Sequence, residues 1–191
     1  MAESFFQRHK KIIICLIIVL IIIGFIVSIY NNFVVLDQDI NGKWSEVENQ
    51  YQRQFDLIPN LVSLVSSYKI YESGLLQNLT DLRTRWAATA TQVNKDQVGQ
   101  ELQTGLSRLI AVAENYPTLK ADTQYTNLKD ELTGAQNRIS TARTRYISSI
   151  QNFNTAIRLF PGNVFAGLFG FSGKDYYMAQ EGAMETPVVN V

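Results

Sequence analysis

The chain has 191 residues with 17 basic and 17 acidic side chains, so its formal net charge at pH 7 is zero. This balance offers no basic stripe, so we expect no nucleic-acid partner. The one cysteine, Cys15, excludes a disulfide within the chain. The one histidine, His9, lies in a basic N-terminal segment, so the rest of the chain cannot form the Ser–His–Asp, Cys–His or Glu-x-x-His sets of hydrolases and di-metal bundles. We therefore expect no enzyme, metal or cofactor.

An apolar run, residues 12–29, holds eighteen residues without a charge or a proline. As a helix the run would span about 27 Å at about 1.5 Å per residue, close to the roughly 30 Å hydrocarbon core of a bilayer. A cleaved signal peptide would have a shorter apolar region, followed by small residues at the cleavage site. We therefore predict an uncleaved signal anchor, a transmembrane helix over residues 12–30, and membrane lipid as a partner.

Basic residues flank the apolar run unevenly. Arg8, Lys10 and Lys11 precede it, whereas the fifteen residues after it hold one basic residue, Lys43. By the positive-inside rule, this asymmetry places the N-terminal tail, residues 1–11, in the cytoplasm. The prediction is a single-pass membrane protein with an extracytoplasmic C-terminal domain.

Two stripes of apolar residues with helical spacing follow the anchor. The first covers residues 33–55, and since no proline separates it from the apolar run, we expect the membrane helix to continue into it. The second covers residues 57–86 and predicts one helix. Pro59 suits the first turn of that helix, and Asp56 is placed to cap it.

Two further stripes complete the helical pattern. Asn94 is placed to cap the third helix, and Pro117 ends it. Asp122 is placed to cap the fourth helix, whose apolar stripe extends over residues 128–160 and is followed by Pro161. The spacing of this fourth stripe is close to the 3.5-residue repeat of helices that pack along one another.

Amphipathic helices joined by short turns favour an all-α fold, an N-terminal transmembrane helix followed by an antiparallel four-helix bundle over residues 31–162. The alternative is an extended coiled coil between chains. The breaks at Pro59, Asn94 and Pro117 disfavour this alternative, because they fold the chain back on itself.

The C-terminal tail, residues 163–191, is rich in glycine and aromatic residues. The predicted topology returns its first part to the membrane surface, which makes an interaction site of Phe165, Leu168, Phe169 and Phe171. One hypothesis is that these side chains touch lipid headgroups or the membrane helix of a partner. The other is that the segment folds back as a lid over the open end of the bundle.

Four polar residues cluster around the predicted turn after the first helix: Asn49, Arg53, Asp56 and Asn60. They can form a network that fixes the turn and satisfies the helix ends. A ligand site there would lie at the membrane-distal tip.

The fourth helix is rich in arginine, including Arg138, Arg143 and Arg145. These side chains can form a face that binds a partner. They can also form a solvated face on which the arginine stems cover apolar edges.

Several strings in the chain are similar to the signature of the bacterial LemA family: residues 48–53 (ENQYQR), 56–62 (DLIPNLV), 111–117 (AVAENYP) and 160–163 (FPGN). The resemblance extends from Tyr30 over nearly the whole remaining chain. It implies a membrane-anchored helical bundle without established enzymatic activity, in a family that includes a magnetosome-associated branch. Together with the charge asymmetry, the resemblance predicts a protein of the bacterial cytoplasmic (inner) membrane. One departure is Gln54, where the family usually has a second arginine.

The sequence therefore favours a scaffold or adaptor of the cell envelope, which binds other membrane or envelope proteins. The alternatives are an envelope sensor whose bundle binds a ligand, and a protein that remodels the membrane through residues 165–171. Gly24 and Ser28 form a small-xxx-small pair that can support contact between membrane helices, so a homo-oligomer stays open.

Overall fold

The structure, a computed structural model, describes residues 2–68 and 72–176, and the side chains within these ranges except those of residues 2–8 and 11. All regular elements in these ranges are helices, which confirms the all-α class. The helices are α1 (Ala2–Asp56), α2 (Ile58–Ser67), α3 (Ser73–Ala88), α4 (Gln92–Ala113), α5 (Pro117–Lys120), α6 (Thr123–Arg158) and α7 (Gly162–Leu168).

Helix α1 is continuous over 55 residues and contains the whole apolar run. The described ranges hold one helix that is long and apolar enough to cross a membrane, and the most apolar part of it is not buried. Beyond the run, the same helix carries buried Phe33, Trp44, Tyr51 and Phe55. The predicted continuation of the apolar helix into the first apolar stripe is therefore confirmed.

The second stripe does not form one helix. Helix α2 ends at Ser67 and α3 begins at Ser73, so the stripe over residues 57–86 is divided between α2 and α3. Tyr71, which belongs to this stripe, lies outside the described residues. Gly74, expected inside a helix, instead lies in the first turn of α3.

One of three predicted caps is confirmed. The Asp122 carboxylate accepts hydrogen bonds from the amides of Gln124 (2.6 Å) and Tyr125 (3.3 Å), and so caps α6. Helix α4 begins earlier than predicted, because Thr91 caps it by accepting from the amide of Asn94 at 3.4 Å.

The cap predicted at Asp56 is also wrong. Helix α2 begins after Leu57 without a hydrogen bond from a capping side chain. The Asp56 carboxylate instead accepts from Gln52 Nε2 at 2.8 Å.

The chain divides into two compact units. The first contains the chain up to Asn41 together with Ile147–Tyr176, and the second contains Gly42–Tyr146. The core of the first unit consists of apolar residues from α1, α6 and α7: Phe33, Ile40, Ile150, Phe153, Ile157 and Ala166. Phe160, predicted to continue the buried stripe of α6, is 82% exposed, because α6 ends at Arg158 and the chain turns before α7.

In the second unit, α4 packs against α3 and α5, and α2 packs against α3. Its buried apolar residues occupy one face of each helix. The largest of them with almost no exposure are Tyr51, Phe55, Ile58, Leu79, Leu82, Leu102, Leu109, Leu119 and Ile139. The ring of Phe55 packs on Trp86 with centroids 5.1 Å apart.

Candidate functional site

Three of the four candidate residues in the C-terminal segment pack into the first unit. The rings of Phe165 and Phe169 stack with centroids 6.1 Å apart, and Phe169 meets Tyr30 edge-on at 5.2 Å. Tyr30 directly follows the apolar run of α1. These contacts hold the end of α7 beside the end of that run, and aromatic pairs of this kind are each worth about 0.5–1.5 kcal/mol beyond the area they bury.

Phe171 lies deeper in the same unit. Its ring centroid lies 5.3 Å from that of Phe33, 5.9 Å from that of Tyr30 and 6.2 Å from that of Phe153. The Phe171 amide donates to the Ala166 carbonyl at 2.9 Å. Phe165, Phe169 and Phe171 are therefore half-buried, and we call these three residues the aromatic cap.

Leu168 differs from the aromatic cap, because 75% of its surface is exposed. Three neighbours that sequence reasoning did not select are also exposed, namely Leu159 (61%), Phe160 (82%) and Val164 (60%). The predicted interaction segment is therefore divided: its three phenylalanines pack into the first unit, and Leu168 faces outward together with three side chains that were not predicted.

A set of polar contacts in the first unit, which we call the polar clasp, fixes the segment that follows the aromatic cap. The side chain of Asn154, which is 2% exposed, donates from Nδ2 to the Lys174 carbonyl and accepts the Lys174 amide at Oδ1, both at 2.8 Å. Lys174 Nζ forms an ion pair with Asp37 Oδ1 at 2.8 Å. The clasp therefore ties the segment after α7 to both α6 and α1.

The predicted polar turn lies in the second unit, where Asn49, Arg53, Asp56 and Asn60 are all exposed. The hydrogen bond of Asp56 is made with Gln52, within α1. Asn49 lines a surface groove described below. The joint network of the four residues stays a prediction.

A buried polar network joins α1, α4 and α6 in the second unit. Tyr51 Oη donates to Asp96 Oδ1 at 2.9 Å, Gln100 Nε2 donates to Asp96 Oδ2 at 2.8 Å, and Arg143 Nη2 lies 3.3 Å from Asp96 Oδ2. The Asp96 side chain has no exposed surface. A carboxylate taken out of water needs partners of this kind, because an unpaired buried charge is strongly unfavourable.

Burial dominates the electrostatics of this network. It raises the pKa of Asp96 above its ordinary value, although the hydrogen bond from Gln100 and the charge of Arg143 act in the opposite direction. Burial, followed by the Asp96 charge, raises the pKa of the Tyr51 phenol. Tyr51 therefore stays a neutral hydrogen-bond donor at physiological pH.

A hollow of about 200 Å³ adjoins this network and is lined by Tyr51, Gly99, Gln100, Gln103, Thr104, Gln136 and Arg143. Gln54 is fully buried next to Gln103, to which its Nε2 donates at 3.4 Å, while its Oε1 is buried without a hydrogen-bond partner. An unpaired buried amide oxygen is costly, by about 1–3 kcal/mol.

A polar groove of about 410 Å³ runs between α1 and α6 in the second unit, lined by Glu46, Asn49, Gln50, Asn137, Arg138, Thr141, Ala142 and Arg145. Arg138 Nε donates to Gln50 Oε1 at 3.1 Å, and Arg145 Nη1 lies 3.5 Å from Glu46 Oε2. The hydrogen bond from Lys43 lowers the pKa of Glu46. Arg138 and Arg145 are thus exposed, yet each contacts a side chain of α1. The groove therefore presents positive and negative charges at its surface.

The polar side chains of these sites form hydrogen bonds and ion pairs with one another. Over residues 2–68 and 72–176, no group of three His, Cys, Asp or Glu side chains could hold a metal ion. The carboxylates with shifted pKa values are bonded to tyrosine, glutamine, lysine or arginine side chains. Such an arrangement can bind and orient a partner.

Sequence reasoning missed Asp96, because an aspartate is mostly exposed and is almost never fully buried unless it is paired. In α4, Asp96 lies on the buried face with Gly99 and Leu102. The available signal was this spacing of three residues between Asp96, Gly99 and Leu102.

Comparison with known proteins gives a family and three relatives. The LemA family model matches residues 43–191. The magnetosome proteins MamQ 2 and MamQ 1 of Paramagnetospirillum magneticum are each 26% identical over an alignment of 207 positions, which covers 95% of this chain and 76% of theirs. The magnetosome protein MamQ of Magnetospirillum gryphiswaldense is 26% identical over an alignment of 200 positions, which covers 90% of this chain and 73% of its own length. Since the family model covers most of the chain, and agrees with the resemblance seen in the sequence, the chain belongs to the LemA family.

Proposed function

We propose that this protein is a non-catalytic scaffold of the bacterial cell envelope, anchored by α1 and folded as an antiparallel four-helix bundle outside the cytoplasm. The observation that carries the proposal is the composition of α1, in which an exposed apolar run continues without a break into residues of the core. No flexible linker separates the anchor from the core within this helix. The relatives, whose names describe magnetosome proteins, support a role in organising a cellular structure.

The polar groove between α1 and α6 is the proposed partner surface. Arg138 and Arg145 stand on one wall and Glu46 on the other, so a protein segment with charges of both signs would find complementary groups. Rim charges of this type select partners and accelerate association more than they add affinity. The proposal therefore expects an envelope protein, bound with modest affinity.

Photo-crosslinking in intact cells tests this surface. A photoreactive amino acid at Asn49 or Thr141, both exposed at the groove, should yield one discrete protein adduct. Gln77 and Thr133, exposed on α3 and α6 away from the groove residues, serve as matched control positions. Adducts that are equal at all four positions, or that contain lipid alone, would contradict the scaffold proposal.

The orientation needs a separate experiment. A Thr133→Cys variant in a Cys15→Ser background should react with a membrane-impermeant maleimide in intact spheroplasts, because Thr133 is exposed in the second unit. Protection until the spheroplasts are lysed would place this unit in the cytoplasm and overturn the proposed topology.

A second candidate function is a sensor that binds a small polar ligand. The specific observation is the unpaired Gln54 Oε1, linked through Gln103 to the hollow beside Tyr51. A thermal-shift screen of small amides and guanidinium compounds tests it on the full chain, with Gln103→Leu as the variant that should lose any shift. A screen in which no compound raises the unfolding temperature would count against this function.

A further inference from the structure

Four exposed apolar side chains lie within ten consecutive residues at the end of α6 and along α7. They are Leu159, Phe160, Val164 and Leu168, with exposures of 61%, 82%, 60% and 75%. Val164 and Leu168 are four residues apart and share one face of α7. We call this set the apolar edge.

Backbone hydrogen bonds fix the turn that carries the apolar edge. The Asn163 amide donates to the Leu159 carbonyl at 2.9 Å, and the Val164 amide donates to the Pro161 carbonyl at 3.1 Å. Gly162, at the start of α7, is buried, because its backbone lies against Ala156 and Phe33. The apolar edge is therefore exposed although its backbone is fixed by hydrogen bonds and by the packing of Gly162.

The apolar edge lies beside the end of the apolar run of α1. Phe169, the residue after Leu168, packs against Tyr30 at 5.2 Å. Within the run, Ile26 and Ile29 are half-buried, whereas every other residue from Ile12 onward is exposed. Ile26 precedes Tyr30 by about 6 Å along the helix axis. Other residues of the first unit therefore cover part of α1 within the last turn of the apolar run.

We propose that the apolar edge is immersed in the boundary between headgroups and acyl chains of the bilayer leaflet in which the apolar run of α1 ends. Lipid is the proposed partner because the apolar edge is continuous with the exposed apolar surface of α1. The edge widens that surface at the level of the membrane where the apolar run ends. Tyr30, at the same level, belongs to the residue types enriched at membrane interfaces. Large apolar side chains gathered on one face typically enter this boundary region.

A helix of seven residues is too short to hold itself on a membrane. Here α1 keeps it at the surface, so binding becomes intramolecular and a small apolar area is enough. The inference therefore rests on the proposed anchoring of α1, and the experiment must separate the two.

Spin labelling of the full chain in liposomes of phosphatidylethanolamine and phosphatidylglycerol provides this test. The labels are placed at Leu168→Cys and, as an independent position, Phe160→Cys, each in a Cys15→Ser background. Ile18→Cys, in the middle of the run, is the lipid reference, and Gln151→Cys, exposed on α6 in the same unit, is the aqueous reference. Collision with oxygen reports lipid, and collision with a water-soluble nickel chelate reports water.

The labels at positions 168 and 160 should be less accessible to the chelate and more accessible to oxygen than the label at position 151. They should resemble the label at position 18. If position 18 behaves as lipid-exposed while positions 168 and 160 behave like position 151, the apolar edge is in water and this inference fails alone. If position 18 is also accessible to the chelate, the anchor itself fails. Dipolar broadening at position 168 that disappears on dilution with unlabelled chain would assign the edge to a second copy and overturn the lipid assignment.

Discussion

Gly99 leaves room for the ring of Tyr51: a Cβ atom on Gly99 would lie 2.3 Å from Tyr51 Cε1 and 2.8 Å from its hydroxyl oxygen. The ring can therefore cross α4 closely enough for its hydroxyl to reach Asp96. This close approach, more than any backbone flexibility, is what requires glycine at a fully buried position of a helix.

The change Gly99→Ala should destabilise the protein by about 1–3 kcal/mol, since a methyl group there displaces a well-packed ring. Gly42→Ala is the matched control, because Gly42 also lies within a helix but has no atom within 4 Å of its Cβ position. That change should stabilise by about 0.5–1 kcal/mol. Denaturant unfolding in detergent, followed by the fluorescence of Trp44 and Trp86, measures both, and equal effects would refute the packing argument.

The stability of the second unit should depend on pH through Asp96 in the direction opposite to an ordinary paired aspartate. Burial raises the folded-state pKa above the unfolded value, so the folded chain binds more protons between the two values. The free energy of unfolding therefore falls as pH rises through that interval and is level above it. Unfolding of wild type and Asp96→Asn from pH 3.5 to 7 measures this, because subtracting the two curves removes the titration of the remaining groups. A difference curve that rises with pH would contradict the assignment.

The Asn154 clasp should control the order of the segment after α7. Asn154→Ala leaves the amide and carbonyl of Lys174 without their partners, a loss of about 1–3 kcal/mol where such groups are buried. Hydrogen exchange at the Lys174 amide should accelerate strongly. Asn152→Ala, an exposed position two residues earlier, should leave that rate unchanged, and acceleration in both variants would show a general loss of stability.

The seating of α7 should depend on Gly162 and not on Gly167. A Cβ atom on Gly162 would lie 2.1 Å from the Ala156 carbonyl oxygen, whereas one on Gly167 meets nothing within 4 Å. Gly162→Ala should therefore displace α7 and increase hydrogen exchange at the amides of Phe169 and Phe171, while Gly167→Ala leaves them protected. Unchanged protection in Gly162→Ala would show that the turn before α7 can relax without loss of packing.

The long helices could be predicted from the sequence because their apolar stripes keep one phase over many turns. In α1 the stripe from Phe33 to Phe55 is buried except at half-buried Leu36, and that of α6 is buried from Leu132 to Ile157. The break between α2 and α3 could not be predicted in this way. Leu64, Tyr68 and Leu75 keep helical spacing across it, and periodicity alone cannot detect an interruption that preserves phase.

The site was predictable only in part, for two physical reasons. Asp96 reaches its partner Tyr51 over 45 positions of sequence, a pairing that local patterns do not contain. Phe160 continued the apolar spacing of α6 and was therefore expected to be buried. Helix α6 ends two residues earlier, and the turn into α7 exposes Phe160 on the apolar edge.

The half-buried positions Ile26 and Ile29, together with buried Phe33, form a seam along one side of α1. At about 100° per residue, Gly24 projects from nearly the opposite side of the helix and Ser28 from well outside the seam. The seam thus fixes which side of α1 faces the rest of the first unit. Gly24 and Ser28 therefore face away from the seam. If α1 spans the membrane as proposed, another membrane helix can approach at Gly24 without displacing α7.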